Sequence, residues 1–147
     1  MKSPKILILG ILVVLLVCAC SLNPGYDFLA KNSEKEGVVL RPSGLQYRII
    51  REGAGASPGF RDRVTVNYRG TLIDGTEFDS SYKRGQPASF QLNRVIKGWS
   101  EALALMKEGA KWELFIPPEL AYGERGAGQL IGSDETLIFE VELLKVN

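Results

Sequence analysis

Hydrophobic and polar residues alternate along three segments of the chain with the period of two that half-buried β-strands show. In the first segment, Val64, Val66 and Tyr68 alternate with polar residues. The second segment ends at two consecutive prolines, and its apolar positions are Trp112, Leu114 and Ile116. The third lies near the C-terminus, and its apolar positions are Leu137, Phe139, Val141 and Leu143. The pattern predicts strands that each turn one face toward a common core.

A turn signal and one helical segment complete this pattern. Asp74-Gly75 follows a short apolar run and is typical of a tight hairpin turn, which would lead into a strand at Thr76–Phe78. One segment has apolar residues at i, i+4 and i+7 followed by a glycine, namely Trp99, Leu103, Met106 and Gly109. We therefore predict an α+β domain in which an antiparallel β-sheet wraps around one short α-helix.

The first twenty residues have a different pattern. Lys2 and Lys5 precede the unbroken apolar run of residues 6–19, which has the length of a signal peptide. As a helix this run would reach roughly 21 Å, short of the roughly 30 Å hydrocarbon core of a bilayer. An ordinary cleaved signal peptide and an uncleaved membrane anchor are the alternative interpretations.

The end of the apolar run resembles a bacterial lipobox. Ala19 is the small residue expected immediately before a lipidated cysteine, whereas Val17 before Cys18 is too bulky. We therefore predict a lipoprotein signal peptide at 1–19 and lipidation of Cys20, which would anchor the protein in a membrane of the bacterial cell envelope. Ser21, rather than an aspartate, follows Cys20, and by resemblance to the bacterial sorting pattern this favours the outer membrane over the inner membrane.

The next segment, 20–42, is polar and is predicted to be a tether. Asn23-Pro24-Gly25 should interrupt any helix, and Tyr26–Glu36 could form a short helix that ends at Gly37. The folded domain is predicted to span 43–147.

Composition excludes several classes of function. The chain has 147 residues, of which 45% are hydrophobic, enough for one packed domain without disulfides or metals. Its 18 basic and 17 acidic side chains form no long single-sign run, so no nucleic-acid partner is expected. No histidine occurs, and both cysteines lie at the end of the leading apolar run. These absences exclude Ser-His-Asp and Cys-His catalysis, and we expect neither a cofactor nor a metal.

Taken one at a time, the candidate functional residues are ambiguous. Aromatic side chains on alternating strands, such as Phe78 and Phe139, are more often core than pocket residues. Trp99 is more often a plug between helix and sheet, and Asp79 at the start of a Ser-rich stretch is more often part of a turn. Tyr122, in a loop beside a glycine, could equally be a surface residue.

Six blocks of sequence, taken jointly, resemble the FKBP family of peptidyl-prolyl isomerases, especially its bacterial macrophage-infectivity-potentiator branch. They occur in the family's order and at compatible spacings, from about Asp27 to the C-terminus. The blocks are Ser43–Tyr47, Val64–Leu72, Gly75–Ser81, Val95–Trp99, Ile116–Gly123 and Thr136–Leu144.

The resemblance implies a fold, an activity and a set of site residues. A pocket for proline would be formed by Tyr68, Phe78, Val95, Ile96, Trp99 and Phe139, with Trp99 as its floor. Tyr122 would donate a hydrogen bond to the substrate carbonyl, and Asp79 would orient Tyr68. Arg84 and Ile131 would lie at the rim. The catalytic set implied is Asp79, Tyr122, Tyr68 and Phe139.

The implied activity is acceleration of X-Pro bond rotation in proline-containing unfolded or extended polypeptides of the cell envelope. No covalent bond breaks in this reaction, which agrees with the lack of histidine and of thiols in the domain. Two alternatives are a non-catalytic module that binds proline-containing segments, as a chaperone or adhesin, and a purely structural envelope lipoprotein.

Several positions depart from the family's pattern. Ala88 replaces a pocket-edge aromatic of some members, Ala127 replaces a histidine, and Gly132-Ser133 replaces a frequent proline. One residue is missing between Phe90 and Val95. The family's macrolide inhibitors, such as rapamycin, are implied ligands, and these departures bear more on their affinity than on isomerase activity. Only the last turns of a longer helical dimerisation arm remain, around 28–37, so we expect a monomer.

Overall fold

The structure, a computed structural model, describes residues 23–147. The predicted signal peptide and Cys20 lie outside the described residues. The strands are Val38–Leu40 (β1), Gln46–Arg51 (β2), Arg63–Leu72 (β3), Glu77–Ser80 (β4), Ala88–Gln91 (β5), Lys111–Ile116 (β6) and Leu137–Val146 (β7). The helices are Pro24–Ser33 (α1), Ser81–Arg84 (α2) and Lys97–Leu105 (α3). Within this range, no helix is both long and apolar enough to cross a membrane.

All strand pairs are antiparallel, and the sheet order is β1-β2-β6-β7-β3-β4, with β5 also paired to β3. The inner face of the sheet packs on α3, because the predicted helix face of Trp99 and Leu103 belongs to the same buried cluster as Leu114 and Val141. Contact between helix and sheet is close at Gly98, where a Cβ atom would lie 2.6 Å from Ile116. The predicted fold class, with a sheet wrapped around a short helix, is confirmed.

Helix α1 covers the opposite face of the sheet. Phe28 on this helix contacts Phe115 of β6, with ring centroids 6.1 Å apart. Leu29 is 6% exposed, and the side chains of Asn32 and Gln46 are buried against each other. Most of the segment predicted to be a tether, 20–42, therefore belongs to the packed structure. Its residues 24–40 contribute a helix and an edge strand.

Both ends of α1 differ from the predicted ones. Asn23 does not interrupt the helix but caps it, because its Oδ1 accepts a hydrogen bond from the Gly25 N–H at 2.8 Å, and Pro24 occupies the first helical turn. The helix ends at Ser33, ahead of Gly37, because the chain must turn there to place β1 beside β2.

The end of α3 was also predicted wrongly. The helix ends at Leu105 because Met106 takes an extended conformation and is fully buried. Gly109 lies farther on, in the turn before β6, with a positive φ of 94°.

Candidate functional site

One cavity of about 450 Å³ opens between the inner face of the sheet, the start of α3 and the loop between β6 and β7. Its lining contains every site residue predicted within the domain except Arg84. The lining residues are Tyr68, Phe78, Asp79, Phe90, Arg94, Val95, Ile96, Trp99, Tyr122, Ala127, Gly128, Ile131 and Phe139. Strand alternation places the aromatic residues of β3 and β7 on the inner face, and the turn before α3 contributes Val95 and Ile96.

The apolar wall of the cavity is a cluster of rings that meet edge to face around Trp99. The centroid of its ring lies 5.0 Å from Tyr68 and 5.2 Å from Phe139, with interplanar angles of 85° and 80°. Trp99 is 4% exposed, and its Nε1 has no hydrogen-bond partner among residues 23–147. Because the rings fix one another, the wall is formed before any ligand binds.

Gly70 on β3 makes this ring geometry possible. It pairs with Phe139 across the sheet, and a Cβ atom at position 70 would lie 2.6 Å from Phe78 Cζ and 2.8 Å from Phe139 Cε1. Any larger residue would push these two rings apart or into the cavity. No pattern in the sequence marks Gly70, since its importance depends on contacts between distant segments.

Asp79 is the acidic group of the cavity, and Tyr68 and Arg84 hold it in place. The Tyr68 hydroxyl donates to Asp79 Oδ2 at 2.5 Å, and Arg84 Nη1 binds Asp79 Oδ1. Arg84 Nη2 also donates to the Tyr68 hydroxyl at 2.9 Å. Arg84 was predicted at the rim as a substrate-binding residue. It does not line the cavity, and instead binds these two side chains.

These contacts fix the protonation states at neutral pH. Burial raises the pKa of Asp79, but the hydrogen bonds from Tyr68 and Arg84 outweigh it, so the pKa lies below its usual value. Burial, followed by the hydrogen bond to Asp79, raises the pKa of the Tyr68 hydroxyl. The cavity therefore holds an ionised carboxylate beside a protonated phenol.

Tyr122 offers the second hydroxyl. It is 41% exposed, and its hydroxyl makes no hydrogen bond to any residue that the structure describes. Burial and then the charge of Asp79 raise the pKa of Tyr122, so the hydroxyl keeps its proton at neutral pH. A bound carbonyl group could accept this hydrogen bond.

Four residues of the lining are not among the predicted site residues, although one of them, Ala127, is a position that departs from the family's pattern. Phe90 on β5 packs edge to face against Trp99, with centroids 5.6 Å apart. The alternation of Ala88 and Phe90 could have indicated an inward-facing strand there. Arg94 ends a single 3-10 turn between β5 and α3, and Ala127 and Gly128 lie in the loop between β6 and β7. These segments are too short or too irregular for a period in the sequence to mark the inward positions.

Comparison with known proteins places these residues in a recognised family. A family model described as "FKBP-type peptidyl-prolyl cis-trans isomerase" matches residues 55–144, and one described as "Domain amino terminal to FKBP-type peptidyl-prolyl isomerase" matches residues 19–49. The chain is 59% identical over 119 residues to "Peptidyl-prolyl cis-trans isomerase Mip" of Coxiella burnetii, covering 81% of this chain and 52% of that protein. It is 57% identical over 122 residues to "Outer membrane protein MIP" of Legionella longbeachae, covering 83% and 52%.

A solved structure of a relative has the same fold as this chain. The crystal structure of FkpA from Escherichia coli superposes with a TM-score of 0.82 at 48% sequence identity, over 84% of this chain and 58% of that one. The chain thus spans about half the length of the curated relatives that it matches.

Proposed function

The chain belongs to the FKBP-type peptidyl-prolyl cis-trans isomerase family, in its Mip-like branch, and we propose that it accelerates rotation about peptide bonds that precede proline. The observation that carries the proposal is the preformed aromatic cavity, which brings an ionised Asp79 and the Tyr122 hydroxyl to one site. Its substrates are proline-containing segments of unfolded or extended polypeptides.

The chemistry needs no nucleophile, because no covalent bond breaks. Partial double-bond character gives the amide a rotation barrier of about 18–20 kcal/mol. Twisting the bond abolishes this resonance and reduces the polarity of the amide. An apolar wall such as that of Trp99 and Phe139 disfavours the planar, polar ground state relative to the twisted one.

Hydrogen bonds then hold the substrate through the rotation. The Tyr122 hydroxyl donates to the carbonyl of the residue before proline, while Asp79 fixes the Tyr68 ring that flanks the pyrrolidine. Raising a rate from roughly 0.01 to 1,000 per second requires about 7 kcal/mol. Packing around the proline ring and preorganised hydrogen bonds together supply energies of this size.

A refolding assay tests the proposal. The purified full chain, kept in detergent, is added to a protein whose refolding is limited by proline isomerisation, and the slow phase should become faster in proportion to enzyme concentration. A module that only binds proline segments would leave this rate unchanged or lower it, and that outcome would exclude catalysis.

The isomerase activity, measured as kcat/KM, should not change between about pH 5 and pH 9. The pKa of Asp79 lies below its usual value of about 3.9, so the stabilisation that its ionised form gives is present above that value and is lost only as the pH falls through the lower, folded-state pKa. Tyr68 and Tyr122 stay protonated because their pKa values lie above 10.0. A protease-free peptide assay across this range measures the profile, and a titration centred near neutrality would contradict it.

We further propose that the protein is anchored by lipid at Cys20 in the bacterial cell envelope, in the outer membrane. The lipobox-like sequence supports this proposal, as does the similarity to a relative named as an outer membrane protein. The monomeric state expected from the short N-terminal arm stays a prediction, and so does macrolide binding.

Cys20→Ala should move the protein from the membrane fraction to the soluble fraction, because the acyl chains contribute roughly 0.8 kcal/mol per buried methylene. Cys18→Ala is the matched control, and it should stay in the membrane fraction. Fractionation followed by mass spectrometry of the mature N-terminus measures both. Retention of the Cys20 variant in the membrane would reject this anchor.

A further inference from the structure

The start of α1 contacts both ends of the loop 117–136, here called the pocket loop, which carries Tyr122 and Ile131 to the cavity. At one end, the Tyr26 hydroxyl donates to Glu119 Oε2 at 2.9 Å. At the other end, Asn23 Nδ2 donates to the Asp134 carbonyl at 2.8 Å. Gly25 lies so close to Thr136 that a Cβ atom on it would be 2.3 Å from Thr136 Oγ1.

The contact at Asp134 continues to the site itself. The Asp134 N–H donates to the carbonyl of Gly123 at 2.9 Å, and Gly123 is the residue next to Tyr122. Asp134 has a φ of 55° and is the only non-glycine residue between 23 and 147 with a left-handed backbone. Such a conformation persists only where surrounding contacts hold it. Asn23 on one side and Gly123 on the other provide those contacts.

Helix α1 is itself a fixed support. Asn32 Nδ2 donates to Gln46 Oε1 at 2.9 Å, and Gln46 Nε2 donates to the Leu29 carbonyl at 2.9 Å. Both amide side chains are nearly inaccessible, at 1% and 3% exposed. Because a buried and satisfied polar pair tolerates little displacement, the helix is held in one register on the sheet.

We propose that Asn23 and Tyr26 are positioning residues, which act through the pocket loop to hold Tyr122 and Ile131 at the proline site. The proposal rests on the proposed isomerase function. It assigns to α1, which precedes the residues matched by the isomerase family model, an indirect part in setting the geometry of the site.

Two substitutions in the full chain separate this role from simple helix stability. Asn23→Asp keeps the oxygen that caps α1 but replaces the donor to Asp134 with a carboxylate. Tyr26→Phe removes only the hydroxyl that binds Glu119. Each should lower kcat/KM by about 3- to 10-fold, the size expected for one hydrogen bond, mainly through kcat with KM little changed. Lys31→Ala is the matched control, because Lys31 on the same helix pairs only with the exposed Asp27.

Hydrogen exchange provides a second measurement that does not depend on activity. Backbone amides of residues 123–134 should exchange several-fold faster in Asn23→Asp than in Lys31→Ala, while those of α3 stay unchanged. If the variants lose thermal stability but keep wild-type kcat/KM and exchange, α1 has only a structural role and the proposal is wrong. If the wild type itself does not accelerate refolding, the isomerase function fails, and the exchange data alone decide whether α1 positions the loop.

Discussion

Asp79→Ala should lower kcat/KM by about 10- to 100-fold while the protein remains folded. The substitution removes the acceptor of the Tyr68 hydroxyl and leaves Arg84 without its carboxylate partner. Hydrogen bonds to charged groups contribute about 1.5–3 kcal/mol, which converts to this range of rates. Tyr68 would then lose its fixed orientation beside the proline ring. The measurement is a peptide isomerisation assay with thermal unfolding recorded in parallel.

Glu77→Ala is the matched control for this prediction. Glu77 lies two residues earlier on the same strand and pairs with Arg69 and Lys83, but it does not line the cavity. Its loss should leave kcat/KM within about twofold of wild type, because exposed ion pairs contribute little. Asp79→Asn keeps an acceptor for the Tyr68 hydroxyl but removes the charge, so its kcat/KM should lie between those of Asp79→Ala and Glu77→Ala. Equal activity of the two alanine variants would remove Asp79 from the mechanism.

Phe139→Ala should both destabilise the protein and abolish most of its activity. Phe139 is 4% exposed and meets Phe78 and Trp99 edge to face at 5.4 and 5.2 Å. Removing such a side chain typically costs about 3–5 kcal/mol of unfolding free energy. The same change removes the wall of the cavity against which the proline ring is proposed to pack, so kcat/KM per folded molecule should fall by more than 10-fold, equivalent to about 1.4 kcal/mol.

Phe115→Ala separates these two effects. Phe115 is also 4% exposed, but it lies on the outer face of the neighbouring strand and packs against Phe28 of α1. Urea unfolding should show a similar loss of stability in both variants. Activity corrected for the folded fraction should fall by more than 10-fold only in Phe139→Ala, whereas Phe115→Ala should lose at most the roughly 3- to 10-fold expected from a loosened α1. If both variants keep wild-type activity per folded molecule, the aromatic wall has no part in catalysis.

The sheet could be predicted from the sequence where the two faces of a strand differ in burial. β3 and β7 alternate along their length, and β6 alternates until Phe115, whose outer face is covered by α1. β1 has only three residues, two of them exposed, so it carries no such period. Helix α1 was placed wrongly because Asn23 and Pro24 can either interrupt or begin a helix, and only the packing of Leu29 against the sheet decides between them.

The site shows a different limit of sequence reasoning. Alternation predicts that Tyr68 and Phe139 face inward, but it does not distinguish a filled core from a cavity lined by rings. That distinction came from the family resemblance, and the structure gives its physical basis in Gly70 and in the edge-to-face rings. The contacts of Asn23 with Asp134 join residues 111 positions apart, and no local pattern predicts them.

The order of strands has a consequence for biosynthesis. β7 is the most C-terminal strand of residues 23–147. It lies between β6 and β3, and within these residues it alone joins the β1-β2-β6 part of the sheet to the β3-β4-β5 part. It also brings Phe139, which forms one wall of the cavity. A nascent chain that lacks this strand has two unjoined halves and an incomplete pocket. The cavity therefore cannot form until β7 has been synthesised and has paired with both parts of the sheet.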